Sequence, residues 1–369
     1  MLNGSYNITI KSAKINYEFT IKRKLTIISG DSGSGKTTLW RLIERSNRQA
    51  GVKVTSNASC IALYPGSWIQ QLNNISNSIF FIDESTLVDS QDFADIVKTS
   101  NNYFVIISRE ELKKLSYSLD EVYEIYQTGQ TNRLTPLYRP VIDATIRQNF
   151  TPTKLITEDS KAGYKFFLHL CQNNRESCIT AKGNSNVVTK IQSELVKTPN
   201  QTQKYLIVLD AAAFGPFTKD LITQMKRRSN DCYILAPESF EHLLLSSPMI
   251  LANIKDKQSV NNPEMHGANN YSNWEQYFTD LLSNLTADTP AHYTKNKSRL
   301  PSCYTNNCHH HPSAPCQFYS RGDKQSIILG VHADNIDFSK LCPSEAPQLT
   351  HLKPSTQFTQ PNPSTTKNT

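Results

Sequence analysis

One contiguous run carries the clearest chemistry in this chain: Gly30-Asp31-Ser32-Gly33-Ser34-Gly35-Lys36-Thr37. It fits G-x-x-x-x-G-K-[ST] without a departure, a pattern whose glycines let backbone N–H groups turn inward on phosphates. The apolar strand Leu25-Thr26-Ile27-Ile28 precedes it, and Thr38-Leu39-Trp40 continues into a helix. A helix N-terminus adds partial positive charge at the same place. Lys36 is expected to reach the β- and γ-phosphates and Thr37 to hold Mg²⁺. Gly30, Asp31, Ser32, Gly33, Ser34, Gly35, Lys36, Thr37 and Thr38 are therefore the candidate nucleotide-binding residues.

A second segment belongs with the first. Ser78-Ile79-Phe80-Phe81-Ile82 is an apolar strand that ends in Asp83-Glu84. Asp83 is expected to bind Mg²⁺, directly or through water, and Glu84 to polarise an attacking water. The strand 103–107 ends in Ser108-Arg109. Arg109 reads either as a γ-phosphate sensor or as the start of a helix over 109–116. No Asn-Lys-x-Asp segment is present, so ATP rather than GTP is the expected nucleotide.

Carboxylates recur further on. Glu158 ends the predicted strand 154–158, Asp210 ends Tyr205-Leu206-Ile207-Val208-Leu209, and Glu238 and Glu241 follow Tyr233-Ile234-Leu235-Ala236-Pro237. Carboxyl ends of parallel strands form the ligand edge of a sheet. Acids gathered there make an oxygen-rich pocket for Mg²⁺ or Mn²⁺. Such ions activate water and stabilise a phosphodiester transition state. The plainer reading is that acids at these places cap helices.

A third set is Cys303, Cys308 and Cys316 with His309, His310 and His311. Four such ligands would enclose Zn²⁺ tetrahedrally, although the spacing is not that of a common zinc knuckle. The alternative is a polar surface loop. Cys60, Cys171, Cys178 and Cys232 lie apart in apolar or strand-like surroundings and read as small buried side chains.

The elements that must position these residues alternate. Strand-like runs at 6–10 and 15–21 read as a hairpin, followed by the buried strand 25–28, a helix from Lys36 to Arg48 and buried strands at 79–82 and 103–107. A helix at 90–99 lies between those last two strands. Val122 to Tyr126 and Arg133 to Tyr138 read as a closing strand pair. After a linker over 141–151, strands at 154–158, 177–181, 204–209 and 231–235 alternate with helices at 160–173, 184–196, 216–228 and 238–246. The fold class is α/β, with a three-layer unit over 1–140 and a second, smaller α/β unit over 152–250. An Asn- and Ser-rich region with a helix at Trp274 to Leu285 covers 251–342, and a disordered tail is expected over 343–369.

The hairpin, the strand into Gly30–Thr37 and Asp83-Glu84-Ser85-Thr86-Leu87-Val88-Asp89 resemble the core of ABC-type P-loop ATPases. The resemblance implies Asp89 as a loop aspartate, one residue early, and Gln70 or Gln71 as a metal-adjacent glutamine. No Leu-Ser-Gly-Gly-Gln-type signature stands between Thr37 and Asp83, so the family's completion of its site across a dimer is not expected. Residues 152–246 are similar to the TOPRIM domain of topoisomerases, primases and OLD-family nucleases. Glu158 matches the early Glu, Gly183-Asn184 precedes a helix, and Asp210 follows a buried strand. The family's Asp-x-Asp is broken by Ala212, and Glu238 or Glu241 matches its later acidic segment. OLD-family proteins join the two units in this order.

The chain has 369 residues, 38% of them hydrophobic, and a formal net charge of +7. Its basic residues are spread rather than massed, which permits DNA or RNA as a partner without requiring either. No apolar run approaches membrane length, and the N-terminus lacks a secretory pattern, so a cytoplasmic protein is expected. The sequence leaves a homo-oligomer open. The leading expectation is an ATPase that regulates a metal-dependent nuclease. The alternatives are a nucleotide-responsive binding module with an inactive second unit, and a small-molecule kinase.

Overall fold

The computed structural model describes residues 2–31, 33–138, 152–171, 175–197, 203–225, 232–246, 250, 254–288 and 292–295, and a strand at 328–329. Ser32, Cys303, Cys308 and Cys316 lie outside the described residues, as do the expected linker and tail. The fold is mixed α/β and is built on two sheets.

The first sheet contains β1 (Tyr6–Lys11), β2 (Asn16–Ile21), β3 (Leu25–Ser29), β4 (Lys53–Thr55), β5 (Ser59–Ala62), β6 (Ser78–Ile82), β7 (Tyr103–Ile107), β8 (Val122–Thr128) and β9 (Thr131–Pro136). Their order is β4-β1-β2-β9-β8-β3-β7-β6-β5. The β1–β2 hairpin alternates strictly, with Ile8 opposite Phe19 and Ile10 opposite Tyr17, all four buried. The strands β3, β7, β6 and β5 pair in parallel, and every residue of β6 and β7 is buried. That is the pattern of central strands covered on both faces.

Period two sorts their side chains. Ile28, Phe81, Val105 and Ile107 pack on Leu39, Leu42 and Ile43 of α1 (Lys36–Asn47). Ile27, Phe80, Ile82, Phe104 and Ile106 face the other way, onto Phe93 and Val97 of α3 (Gln91–Thr99). The short elements β4, β5 and α2 (Trp68–Asn74) were not expected, because pieces this short carry little periodic signal.

The helix expected over 109–116 does not form; the segment is a series of bends and turns. Leu112 and Leu115 are buried and three apart, which imitates a helical face. The Ser108 hydroxyl instead accepts from the Glu110 N–H (3.1 Å) and donates to the Glu110 carbonyl (2.9 Å). Such local side-chain bonds compete with helix initiation.

The second sheet is parallel throughout: β10 (Lys154–Thr157), β11 (Cys178–Thr180), β12 (Tyr205–Val208), β13 (Cys232–Leu235) and β14 (Ile328–Leu329), in the order β11-β10-β12-β13-β14. The helices α4 (Ala162–Leu170), α5 (Asn184–Lys197), α6 (Ala211–Phe214), α7 (Thr218–Met225) and α8 (Phe240–Leu245) connect these strands or follow them. The helix expected at 216–228 begins earlier and is broken at Gly215-Pro216, where proline withdraws an N–H. The strand order reverses between β10 and β12. In such sheets that point opens a crevice at the carboxyl ends of the strands.

The two sheets share apolar packing. Ile27, Phe80 and Phe104 belong to one buried cluster with Ile156, Ile207 and Ile234. Gly215 makes part of the junction possible, because a Cβ there would lie 2.3 Å from the Tyr117 ring. Polar bonds clasp the turn between β2 and β3. Buried Asn269 donates to the Lys22 carbonyl and the Tyr103 hydroxyl, both at 2.8 Å, and accepts from the Trp274 indole at 3.0 Å. Beside it the Arg23 guanidinium stacks 3.5 Å from the Trp274 ring centre and pairs with Glu121 and Glu238.

Candidate functional site

The loop between β3 and α1 is shaped by glycine. Gly30, Gly33 and Gly35 have φ of 118°, 82° and 92°, a region that other residues enter at a cost. Gly35 has a second reason to lack a side chain. A Cβ there would stand 2.9 Å from the Tyr17 hydroxyl, which donates to the Gly35 carbonyl at 2.8 Å. The hairpin strand β2 thus pins the loop from beneath.

Lys36 is buried, with 4% of its surface exposed, and its ammonium lies inside the loop. It donates to the carbonyls of Gly30 (2.7 Å) and Asp31 (2.6 Å) and to the Ser34 hydroxyl (3.2 Å). Burial, followed by the Arg109 charge, lowers its pKa. Helix α1 has no side-chain cap and no acid in its first turn. Its first N–H groups therefore lack the usual side-chain acceptor, which suits an anion.

Strand β6 delivers Asp83 to the same place. The Thr37 hydroxyl stands 3.4 Å from Asp83 Oδ1. Burial raises the Asp83 carboxyl above its ordinary range, against the Thr37 hydrogen bond. Arg109 leaves the end of the neighbouring strand β7 and donates to Glu84 Oε1 at 2.7 Å. Of the two readings for Arg109, helix initiation is excluded, and its guanidinium is held by Glu84. Thr38 lies in the first turn of α1, Asp89 ends a 3₁₀ turn at 86–89, and Gln70 and Gln71 lie on α2.

The second set of acids gathers at the reversal point of the second sheet. Glu158 follows β10 and Asp210 follows β12, the two strands that flank the crevice. The two carboxyls are close enough that the ionisation of each depends on the other. Burial, and then the Glu275 and Asp159 charges, push Glu158 up to about 7. Burial and the Glu158 charge raise Asp210 well above the carboxylate range.

Glu241 joins them from the first turn of α8, 1% exposed. Its Oε1 accepts from the Tyr293 hydroxyl at 2.7 Å, and its Oε2 has no partner. Lys295 stands 3.7 Å from Glu241 and pairs directly with Glu275. Its pKa is raised: desolvation works against the charge, but Glu241 and Glu275 outweigh it. Among the described residues no three His, Cys, Asp or Glu are set as a metal shell.

Helix capping does not account for these acids. Asp210 precedes α6 without a side-chain cap bond, and Ser239 caps α8. Asp159 is the capping acid, accepting from the N–H groups of Lys161 (2.7 Å) and Gly163 (2.6 Å). Glu238 is not brought to the cluster. It turns to the first sheet and forms a paired contact with Arg23, at 3.0 Å through Nη1.

Glu275, Tyr293 and Lys295 were missed in sequence. They come from a region without strand–helix alternation, and only the fold carries them to the crevice. The buried thiols of Cys60, Cys171, Cys178 and Cys232 are unpaired by disulfides, as their surroundings suggested. Comparison with protein-family models, curated proteins and solved structures gives no match to this chain. Among the described residues no helix is long and apolar enough to cross a membrane.

Proposed function

We propose that this chain is a P-loop nucleotide-binding protein that takes ATP·Mg²⁺ in the loop 30–37. One observation carries the reading. The buried Lys36 ammonium sits among inward-facing carbonyls, beneath glycines in left-handed conformation and beside an uncapped helix N-terminus. Such a lysine exchanges weak carbonyl partners for phosphate oxygens when a nucleotide enters. Thr37 and Asp83 present adjacent oxygens suited to Mg²⁺. The ion, when bound, offsets charge between the β- and γ-phosphates. Glu84, once freed from Arg109, would orient water. Titration calorimetry with ATP·Mg²⁺ tests the proposal: micromolar binding by the wild type and its loss in Lys36→Ala are expected. Equal binding by both proteins would remove it.

The second unit supports a further part of the reading, a TOPRIM-like site for Mg²⁺ or Mn²⁺ that acts on nucleic acid. Its support is the placement of Glu158 and Asp210 after the two strands at the order reversal, where the Glu158 and Glu241 charges raise Asp210, together with the unpartnered Glu241 Oε2. Carboxylate oxygens crowded until their pKa values rise lack positive charge, and a divalent ion supplies it. Glu158 and Asp210 would hold the ion as two protein ligands, since among the described residues no three His, Cys, Asp or Glu stand together as a shell. Lys295 favours the other reading, a nucleotide-responsive binding module, because it already offsets part of that charge. Plasmid cleavage with ATP and Mg²⁺ or Mn²⁺ separates the two. Cleavage abolished by Asp210→Ala supports the nuclease; no cleavage by the wild type leaves the binding module.

A further inference from the structure

The carboxyls of the crevice already hold one cation. Lys295 pairs with Glu275 and stands 3.7 Å from Glu241 Oε1. Desolvation works against its charge, but the Glu241, Glu275 and Asp210 charges outweigh it, so the ammonium stays charged. The same charge acts in return on Glu158 and Asp210. One lysine therefore stands in the field of all four acids, Glu158, Asp210, Glu241 and Glu275.

The chain before the lysine is pinned at Tyr293, which is fully buried. The Tyr293 N–H donates to the Thr286 hydroxyl at 2.8 Å, at the end of the helix Trp274–Thr286 whose first turn carries Glu275. The Tyr293 hydroxyl donates to Glu241 Oε1 at 2.7 Å. Lys295 follows two residues later, so its ammonium is placed in advance rather than recruited from solution. Glu241 is still not satisfied. Its side chain is 1% exposed, and Oε2 is buried without a partner. A buried carboxylate oxygen is not normally left without a donor or a cation.

We propose that Lys295 is a resident cation that fills one of two cation positions in the crevice and limits it to a single divalent ion. The position it fills lies between Glu241 and Glu275, and the other lies at Glu158 and Asp210. The inference rests on the metal reading of the crevice given above. Charge counting supports it. Four ionised carboxylates and one ammonium leave three negative charges, and one Mg²⁺ or Mn²⁺ reduces them to one. A second ion would meet only that one charge and would have to displace the ammonium. Without the lysine it would meet two charges and an open place. Glu241 and Glu275 would then suffice as protein ligands, because a hard divalent ion keeps several waters and needs only one or two carboxylates.

Bound Mn²⁺ per full chain is counted from the paramagnetic resonance signal of the free ion, without nucleotide and at constant ionic strength. The wild type should bind one ion and Lys295→Met two. Lys295→Gln removes the charge but keeps a donor for Glu275. It should also bind two ions, and it covers the case in which Lys295→Met fails to fold. Lys295→Arg keeps the charge and should stay at one. Glu275→Gln in the Lys295→Met background should return the count to one. Asp210→Asn should lose the wild-type ion, which tests the metal reading separately. One ion bound equally by wild type, Lys295→Met and Lys295→Gln would overturn the inference and leave the metal reading standing. No ion bound by any of these proteins would overturn both.

Discussion

The two strand-end sites are built from opposite materials. The loop 30–37 is mainly backbone: glycines at positive φ, an uncapped helix end and one buried lysine among carbonyls. The crevice of the second sheet is side chain: Glu158, Asp210, Glu241 and Glu275, with Tyr293 bonded to Glu241 and Lys295 paired with Glu241 and Glu275. The first site is suited to an anion, and the second holds more carboxylates than its one lysine matches. A site made of backbone is written in contiguous residues. A site made of side chains is assembled by topology from positions far apart in the chain.

The contrast is broken most severely through Arg23, which ties the two units. Arg23→Ala leaves buried Glu121 and half-buried Glu238 without their cation. It should cost about 3–5 kcal/mol of stability, measured by urea denaturation. A loss below about 1 kcal/mol would mean that the units do not depend on this pair.

Gly35→Ala tests the backbone-built site. The substitution forces a side chain to φ 92° and against the Tyr17 hydroxyl. A loss of about 1–3 kcal/mol is expected, together with weaker ATP binding. Gly35→Ala with Tyr17→Phe should recover only the steric part, which divides strain from crowding.

The crevice is sharpened by pH. Glu158 is raised to about 7 in the fold, above the ordinary glutamate value near 4.3 of an unfolded chain. Between those values the folded state binds more protons than the unfolded state, so stability falls as pH rises from about 4.3 to 7. Above 7 this contribution to the slope ends. Glu158→Gln should flatten the decline by about 1–3 kcal/mol across that window, read from denaturation midpoints at a series of pH values. An unchanged slope would mean that Glu158 ionises normally. Lys295→Met should steepen it, since the lysine charge holds these carboxyls down.

The smallest effect on stability is expected at the Arg109–Glu84 pair. Both side chains are substantially exposed, so Arg109→Ala should change stability by less than about 1 kcal/mol. It releases Glu84, and any ATP turnover should therefore change by more than stability does.

Legibility followed the same divide. The Gly30–Thr37 loop, the hairpin and the central strands were readable because their signals are local: glycine spacing, period two, and apolar runs. The strand–helix alternation also gave the second sheet, and Glu158, Asp210 and Glu241 were found at its strand ends. Glu238 read the same way but pairs with Arg23: it precedes the N-cap Ser239, whereas Glu241 lies inside the first turn of α8. Asp159 hid its role as a cap behind the adjacent Glu158. Glu275, Tyr293 and Lys295 carried no motif at all. The segment 109–116 misled because Leu112 and Leu115 have helical spacing, while Ser108 satisfies the backbone locally.

Thermal melting with and without ATP·Mg²⁺ tests the central claim most directly. A ligand at 100 times its Kd stabilises a folded protein by about 2.7 kcal/mol, which moves the midpoint of a chain this size by several degrees. The wild type should show that rise, and Lys36→Ala, with its own midpoint little changed, should not. A rise of the same size in Lys36→Ala, or none in the wild type at millimolar ATP·Mg²⁺, would contradict a nucleotide site in the loop 30–37.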